Sequence, residues 1–150
     1  MIELVERPDE TTWEERRHWL AREEERAAEA GARARLSEQA TALLVDLQRC
    51  YCAGAWAATV ILAGAIVDAQ TLYAGFPADG LSDERAWLRG LRNRLMHEDR
   101  QRPALTLEDQ WLKGPEWQRD ARRATRLALA ALYAPGAAGG GAPPPRPERR

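Results

Sequence analysis

The chain contains few cysteines, almost no lysine and no excess of charge of either sign. Its 150 residues include two cysteines, and 22 basic residues balance 23 acidic ones to a net charge of −1. Cys50 and Cys52 lie two positions apart, which on a helix separates their side chains by about 200°. This spacing disfavours a disulfide or a shared metal ion and predicts buried thiols in a reducing compartment. The balanced charge excludes binding of nucleic acid through the overall field, so a polyanion site must be local.

The sequence also lacks the features of exported and membrane proteins. Its first residues contain no basic, apolar leader, and its longest apolar run, residues 53–67, is shorter than the roughly 20 residues that span a bilayer. We therefore expect a cytoplasmic protein that does not bind membranes. All basic residues except Lys113 are arginines, which suits phosphate contacts but also fits the amino-acid bias of a GC-rich genome.

Strand signals are almost absent, whereas helix signals recur along the chain. Capping boxes at Thr11 and Thr12 predict a charged helix over residues 12–30. Ser37 is predicted to cap a core helix with a steady i, i+3, i+4 apolar rhythm. After Gly54, residues 55–74 are apolar on nearly all sides, which predicts a helix buried by its neighbours.

The second half of the chain predicts two more core helices. Ser82 is the expected cap of the third one, and Pro103 prevents its smooth continuation. A loop then leads to Pro115, which suits the first turn of a last helix ending at Pro135. We expect an all-α protein: an up-and-down four-helix bundle over residues 36–134, an N-terminal charged helical extension over residues 1–35, and a disordered Gly/Pro/Arg tail over residues 135–150.

The third core helix carries the residues with the clearest chemical potential. Arg92, Asn93 and His97 fall within six residues, and three leucines direct one face of this segment to the core: Leu88, Leu91 and Leu95. Asn93 and His97 are i, i+4 neighbours and are predicted to share a helix face. Arginine can bind a phosphate, an amide can orient a neighbouring group by hydrogen bonding, and histidine can transfer protons near neutral pH. This combination predicts a ribonuclease site, with an ordinary solvated polar face as the alternative.

Other types of site have weaker support. Glu14, Glu15 and His18 give a single Glu-x-x-His pair, whereas a di-iron bundle needs two such pairs and further carboxylates. We therefore predict no metal ligands, and we interpret His18 as an exposed histidine. Glycine-rich phosphate loops, Ser/His/Asp arrangements and zinc-ligand spacings are absent from the sequence.

The motif Arg92-Asn93-Arg94-Leu95-Met96-His97 resembles that of the HEPN family, helical bundles of prokaryotic toxin–antitoxin and phage-defence systems and of CRISPR ribonucleases. The family hallmark is Arg, four to six residues, then His, often with a polar residue directly after the Arg. The small residues of segments 51–58 and 62–68 resemble the family's second helix, which often carries an acidic residue where Asp68 stands. The resemblance covers about residues 36–133.

This resemblance implies a metal-independent endoribonuclease without a cofactor. His97 would assist attack of an RNA 2′-hydroxyl on the adjacent phosphorus, Arg92 would stabilise the phosphoryl charge, and Asn93 would orient the histidine or bind the phosphate. The products would be a 2′,3′-cyclic phosphate and a 5′-hydroxyl. Family members usually pair two motifs across a homodimer, and an antitoxin or defence-complex partner is also implied. Three flanking arginines are predicted to bind RNA: Arg89, Arg94 and Arg100.

Two other functions stay open at the sequence level. Some toxin members of the family carry a tyrosine two residues after the histidine. In this chain that position is Asp99, and Glu98 precedes it. Two acids beside the histidine would repel a phosphate backbone, so a catalytically inactive HEPN-fold interaction module in a larger defence or regulatory complex is the main alternative. A bundle that senses a nucleotide or another small ligand is a third, weaker interpretation.

Overall fold

A computed structural model describes residues 6–31, 35–77 and 80–134 of the chain. These residues form helices and connecting segments and contain no strand, so the all-α class is confirmed. The predicted tail, residues 135–150, lies outside the described residues. The described part contains six helices: α1 (Glu10–Ala30), α2 (Glu38–Ala53), α3 (Trp56–Ala74), α4 (Ser82–Met96), α5 (Leu107–Leu112) and α6 (Gly114–Tyr133).

Four of the helices close into a ring that does not include α4. α3 packs most extensively against α2 and α6, and α1 fills the remaining side by contacting both α2 and α6. α4 lies outside this ring, chiefly against α3, and buries only Leu88 and Leu91. The sequence predicted the reverse roles, with α4 in the four-helix core and α1 added to it. α4 does have the predicted hydrophobic stripe. The stripe is narrow, so contact with one neighbouring helix is enough to cover it.

The ring is not a simple up-and-down bundle, because α6 runs parallel to both of its neighbours. Contacts between α1 and α6 follow the same order along both helices. Trp19 meets Arg122, Glu23 meets Arg126, and Gly31, which follows α1, meets Tyr133. The first residues of α3 and of α6 likewise line one small cleft. The return of the chain through α4 and residues 97–113 makes this parallel arrangement possible. The division of the chain at residue 35 stays a prediction.

Several helix ends differ from the sequence prediction by a few residues. Asp9, not Thr11 or Thr12, caps α1, and its carboxylate accepts a hydrogen bond of 2.7 Å from the Thr12 N–H. Ser37 caps α2 as predicted, whereas Leu81 precedes α4 and Ser82 is its first helical residue. Gly54 ends α2 in the left-handed conformation with φ of 81°, which a residue with a side chain adopts only with strain.

The segment predicted as a loop after Pro103 contains the short helix α5. Thr106 and Asp109 form a capping box, in which the side chain of each accepts a hydrogen bond from the backbone N–H of the other. Pro115 occupies the first turn of α6 as predicted. The capping box lay within a stretch of turn-forming residues, which concealed the helix in the sequence.

An aromatic stack joins α1 to α2 and α3, two other helices of the ring. The fully buried Tyr51 ring stacks on Trp19 at a centroid distance of 4.8 Å and meets the Trp56 ring edge-on at 5.3 Å. Glu23 of α1 is also buried and accepts hydrogen bonds from Arg126 of α6, and this contact lowers the pKa of its carboxyl group. α1 is therefore held against the other helices of the ring by specific contacts.

The central helix α3 is the one described helix that is long and apolar enough to cross a membrane, by length and composition alone. In this structure it packs against α2, α4 and α6. It also carries the polar side chains of Asp68 and the fully buried Gln70, and the Gln70 amide binds the backbone of Ser37 and Arg35. These contacts are typical of the central helix of a bundle.

Both cysteines are free thiols, as their spacing predicted. Cys52 is buried and Cys50 is half-buried on α2. Burial raises the pKa of each thiol, which keeps it protonated and unreactive near neutral pH.

Candidate functional site

The predicted site lies where α4 meets α3. Leu88 and Leu91 hold α4 against α3, and they turn Arg92 toward the contact between the two helices. The Arg92 guanidinium donates a short hydrogen bond from Nη1 to Oδ2 of Asp68 on α3. The side chains are 23% and 45% exposed, respectively, so this ion pair is half-buried and still open to solvent.

The close approach of Arg92 to α3 depends on Gly64. A Cβ atom at this position would lie 2.7 Å from Cδ of Arg92, which is closer than side chains tolerate. Gly64 is buried on the α3 face that meets α4, one helical turn before Asp68. The glycine therefore makes room for the arginine stem, and the aspartate fixes its charged end.

Two further arginines of α4 reach the same cleft. Arg85, Arg89 and Arg92 follow an i, i+4, i+7 spacing and line a small cleft with Gly64 and Asp68. The Arg85 guanidinium lies 4.8 Å above the ring of Phe76, while its Nε–H is buried without a hydrogen-bond partner among the described residues. Three arginines and one aspartate thus line this cleft, which leaves a local positive charge.

Arg85 was not among the residues predicted from the sequence. The sequence did contain a sign of its role, because Arg85, Arg89 and Arg92 have the i, i+4, i+7 spacing of residues on one helix face. Arg85 was overlooked because it lies near the start of the helix, far from His97, and its position near Asp68 cannot be read from the sequence.

His97 lies beyond the helix rather than within it. α4 ends at Met96, and His97 has an extended backbone with φ of −122° and ψ of 120°. Its N–H donates a 3.0 Å hydrogen bond to the Asn93 carbonyl oxygen. The prediction that His97 lies within the helix is therefore wrong, and both Asn93 and His97 are exposed at the same end of α4.

The other predicted site residues lie on the surface, Arg89 in the middle of α4 and the others near its end. Arg89, Arg94 and Arg100 are exposed. The Asp99 carboxylate accepts hydrogen bonds from the backbone N–H groups of Gln101 and Arg102, at 2.9 and 3.2 Å. Asp99 therefore stabilises the turn after His97, and its negative charge stays close to the histidine.

In the described part of the chain, Arg92 lines one cleft with Arg85, Arg89 and Asp68, and Asn93 and His97 are exposed toward the end of α4. No group of three or more histidine, cysteine or acidic side chains with metal-binding geometry occurs among the described residues. No protein-family model matches the chain, and no significant match is found among curated proteins or solved structures.

Proposed function

We propose that this chain is a metal-independent endoribonuclease of the HEPN type that works in a toxin–antitoxin or antiviral defence system in the cytoplasm. One observation carries the proposal. α4 holds Arg92 in a positively charged cleft and ends one residue before an exposed histidine. A phosphate-binding group and a proton-transferring group therefore lie at the same helix end, open to a large substrate.

The proposed reaction needs only groups of this kind. One His97 accepts the proton of an RNA 2′-hydroxyl while that oxygen bonds to the adjacent phosphorus. Arg92 stabilises the negative charge that builds on the phosphoryl oxygens. The bond from phosphorus to the 5′-oxygen then breaks, and a second histidine returns a proton to that oxygen. The products are a 2′,3′-cyclic phosphate and a 5′-hydroxyl.

The second histidine is proposed to come from a second copy of the chain. Four of the seven large hydrophobic side chains that are exposed in the described residues fall in the segment that starts beside His97: Met96, Leu107, Trp111 and Leu112. Apolar groups concentrated in this way favour association. A homodimer built on this segment would bring two copies of His97 toward one cleft.

The proposal is tested by the cleavage chemistry of the purified protein. Because no metal ion takes part in the proposed reaction, RNA cleavage should continue in excess EDTA and leave 2′,3′-cyclic phosphate ends, which mass spectrometry identifies. DNA of the same sequence lacks the attacking hydroxyl and should stay intact. Cleavage of both nucleic acids, or loss of RNA cleavage in EDTA, would contradict the proposal.

Gly64→Ala is expected to lower RNA cleavage without unfolding the protein. The new Cβ would lie 2.7 Å from Cδ of Arg92 and would displace that side chain from Asp68. Misplacement of a catalytic group by about 1 Å can reduce the rate by about 100-fold. The matched control is Gly90→Ala on α4, where an added Cβ would meet only Arg94 Nη1, at 3.8 Å. Equal cleavage rates for the two variants would remove Arg92 from the proposed mechanism.

The second candidate function is a catalytically inactive HEPN-fold interaction module. Asp68 partly neutralises Arg92, and the exposed apolar residues after Met96 offer a surface for another protein. An antitoxin or another defence protein would then be the partner. A protein that forms a stable complex through this segment and leaves varied RNAs intact would favour this function over the nuclease.

A further inference from the structure

A second charged site lies on the opposite side of the ring, in a cleft between the parallel helices α1 and α6. The cleft has a volume of about 490 Å³, which falls in the range of small-molecule sites. Three arginines line it, Arg16 and Arg22 from α1 and Arg122 from α6. Because α4 carries the predicted nuclease residues and does not contribute to this cleft, the two sites are separate.

Neutral groups hold two of these guanidinium groups in place. Arg16 donates a 2.9 Å hydrogen bond from Nη1 to the Cys52 carbonyl oxygen, and its Cζ lies 4.7 Å from the centre of the Trp56 ring. Arg122 donates a 2.8 Å hydrogen bond from Nε to the hydroxyl of Tyr51. Its Cζ lies 5.1 Å from the centre of the Trp19 ring. These contacts orient the guanidinium groups without cancelling their charge.

The third arginine, Arg22, has no hydrogen bond or ion pair with another described residue, and its side chain is exposed at the edge of the cleft. The only carboxylate in the lining belongs to Glu15, and it forms no ion pair with a described residue. The lining therefore contains three positive charges and one negative charge, a surplus of two. Outside the lining, Asp9 is close enough to Arg16, and Glu23 to Arg22, for their charges to interact.

The neighbouring arginines show that this surplus is not caused by a shortage of carboxylates. The chain has one more acidic residue than basic ones. Arg17 pairs with Glu14, Arg123 with Glu84, and Arg126 with Glu23. Arg122 and Arg123 are adjacent in α6, yet only Arg123 has a carboxylate partner. Arg16, Arg22 and Arg122 thus form no ion pair with a described carboxylate, and all three line the same cleft.

We propose that the α1–α6 cleft binds a small molecule that carries a phosphate dianion. Guanidinium groups bind phosphate oxygens in a bidentate geometry, and a dianion matches the surplus charge. His18, Gln118 and Thr12 supply further hydrogen-bonding groups in the lining. This polar lining fits a hydrated anion better than an apolar ligand. The proposal is independent of the ribonuclease proposal.

The same phosphate chemistry occurs in a free small molecule and in an RNA backbone, so the test has two arms. Inorganic pyrophosphate is the small-molecule probe, and a 2′-O-methylated RNA strand, which lacks the attacking hydroxyl, is the polymer probe. Binding to the full chain is measured by calorimetry at constant ionic strength, and thermal unfolding is followed in parallel because a bound ligand stabilises the folded state. The variants are Arg22→Gln in the cleft and Arg17→Gln as the control on the same helix.

Both substitutions remove one positive charge from an exposed position on α1, so neither is expected to prevent folding. Arg22→Gln should weaken pyrophosphate binding by at least about tenfold, because a charge-assisted hydrogen bond is lost. Arg17 is already paired with Glu14, so Arg17→Gln should leave the affinity within about twofold of the parent.

Three outcomes would overturn the proposal. The first is the absence of pyrophosphate binding to the parent at millimolar concentration. The second is an equal loss of affinity in the two variants, which would indicate general surface charge. The third is binding of the RNA strand alone with a loss in Arg22→Gln, which would make the cleft an RNA surface. None of these outcomes depends on whether the protein cleaves RNA.

Discussion

His97→Ala is expected to reduce the EDTA-resistant cleavage of RNA by about 100- to 10,000-fold, the usual contribution of a general acid–base group. The imidazole is exposed directly after the end of α4, so a long RNA strand can reach it. Alanine removes the proton-transferring group and keeps the backbone hydrogen bond from residue 97 to the Asn93 carbonyl oxygen. The rate is measured on a defined RNA substrate in excess enzyme. Expression of the parent is expected to arrest cell growth, and expression of His97→Ala is not.

The matched control is His18→Ala, because His18 is the other histidine of the chain. It is exposed on α1, with Glu14 close to its imidazole, far along the chain from Arg92. The control should cleave RNA like the parent. If His97→Ala cleaves as fast as His18→Ala, the residue takes no part in catalysis and the interaction-module function gains support.

Tyr51→Ala is expected to lower the free energy of unfolding by about 3–5 kcal/mol, as other losses of a large buried aromatic ring do. The Tyr51 side chain is fully buried and lies between the indole rings of Trp19 and Trp56. Its removal leaves a cavity where α1 and α2 meet, and it also frees the Arg122 guanidinium from its hydroxyl partner. Urea unfolding followed by far-ultraviolet circular dichroism measures the loss.

Tyr51→Phe separates the ring from its hydroxyl group. The ring contacts stay, and the hydrogen bond to Arg122 is lost, so the expected cost is about 1 kcal/mol. Burial raises the pKa of the Tyr51 hydroxyl, which therefore stays a neutral partner of Arg122 at ordinary pH. If both variants were equally stable, the aromatic stack would not be what holds α1 against α2 and α3.

The parts of the fold that depend on residues close together in the sequence were predictable. The apolar rhythm after Ser37 and the turn at Gly54 placed α2 and α3 correctly. The position of α1 was not predictable, because its narrow stripe gave no sign that Glu23 is buried. That burial depends on Arg126, which lies 103 residues further along the chain. Such a pair leaves no local pattern in the sequence.

The positions of the candidate site residues on α4 were also predictable only in part. The closeness of Arg92 and His97 follows from their spacing, and the leucines correctly indicated the buried face of α4. The end of the helix at Met96 was missed because no glycine or proline follows it before Pro103. The contribution of Arg85 was missed because it depends on the way α4 packs against Asp68 and Phe76.

The position of α4 outside the ring has a consequence for how this protein can evolve. Since α4 buries only Leu88 and Leu91, most substitutions on its other positions remove little packing energy from the scaffold. Natural variants can therefore accumulate substitutions at the exposed positions of this helix while the remaining helices stay folded. Neutral substitutions are thus expected to accumulate in the helix that carries Arg92 and Asn93.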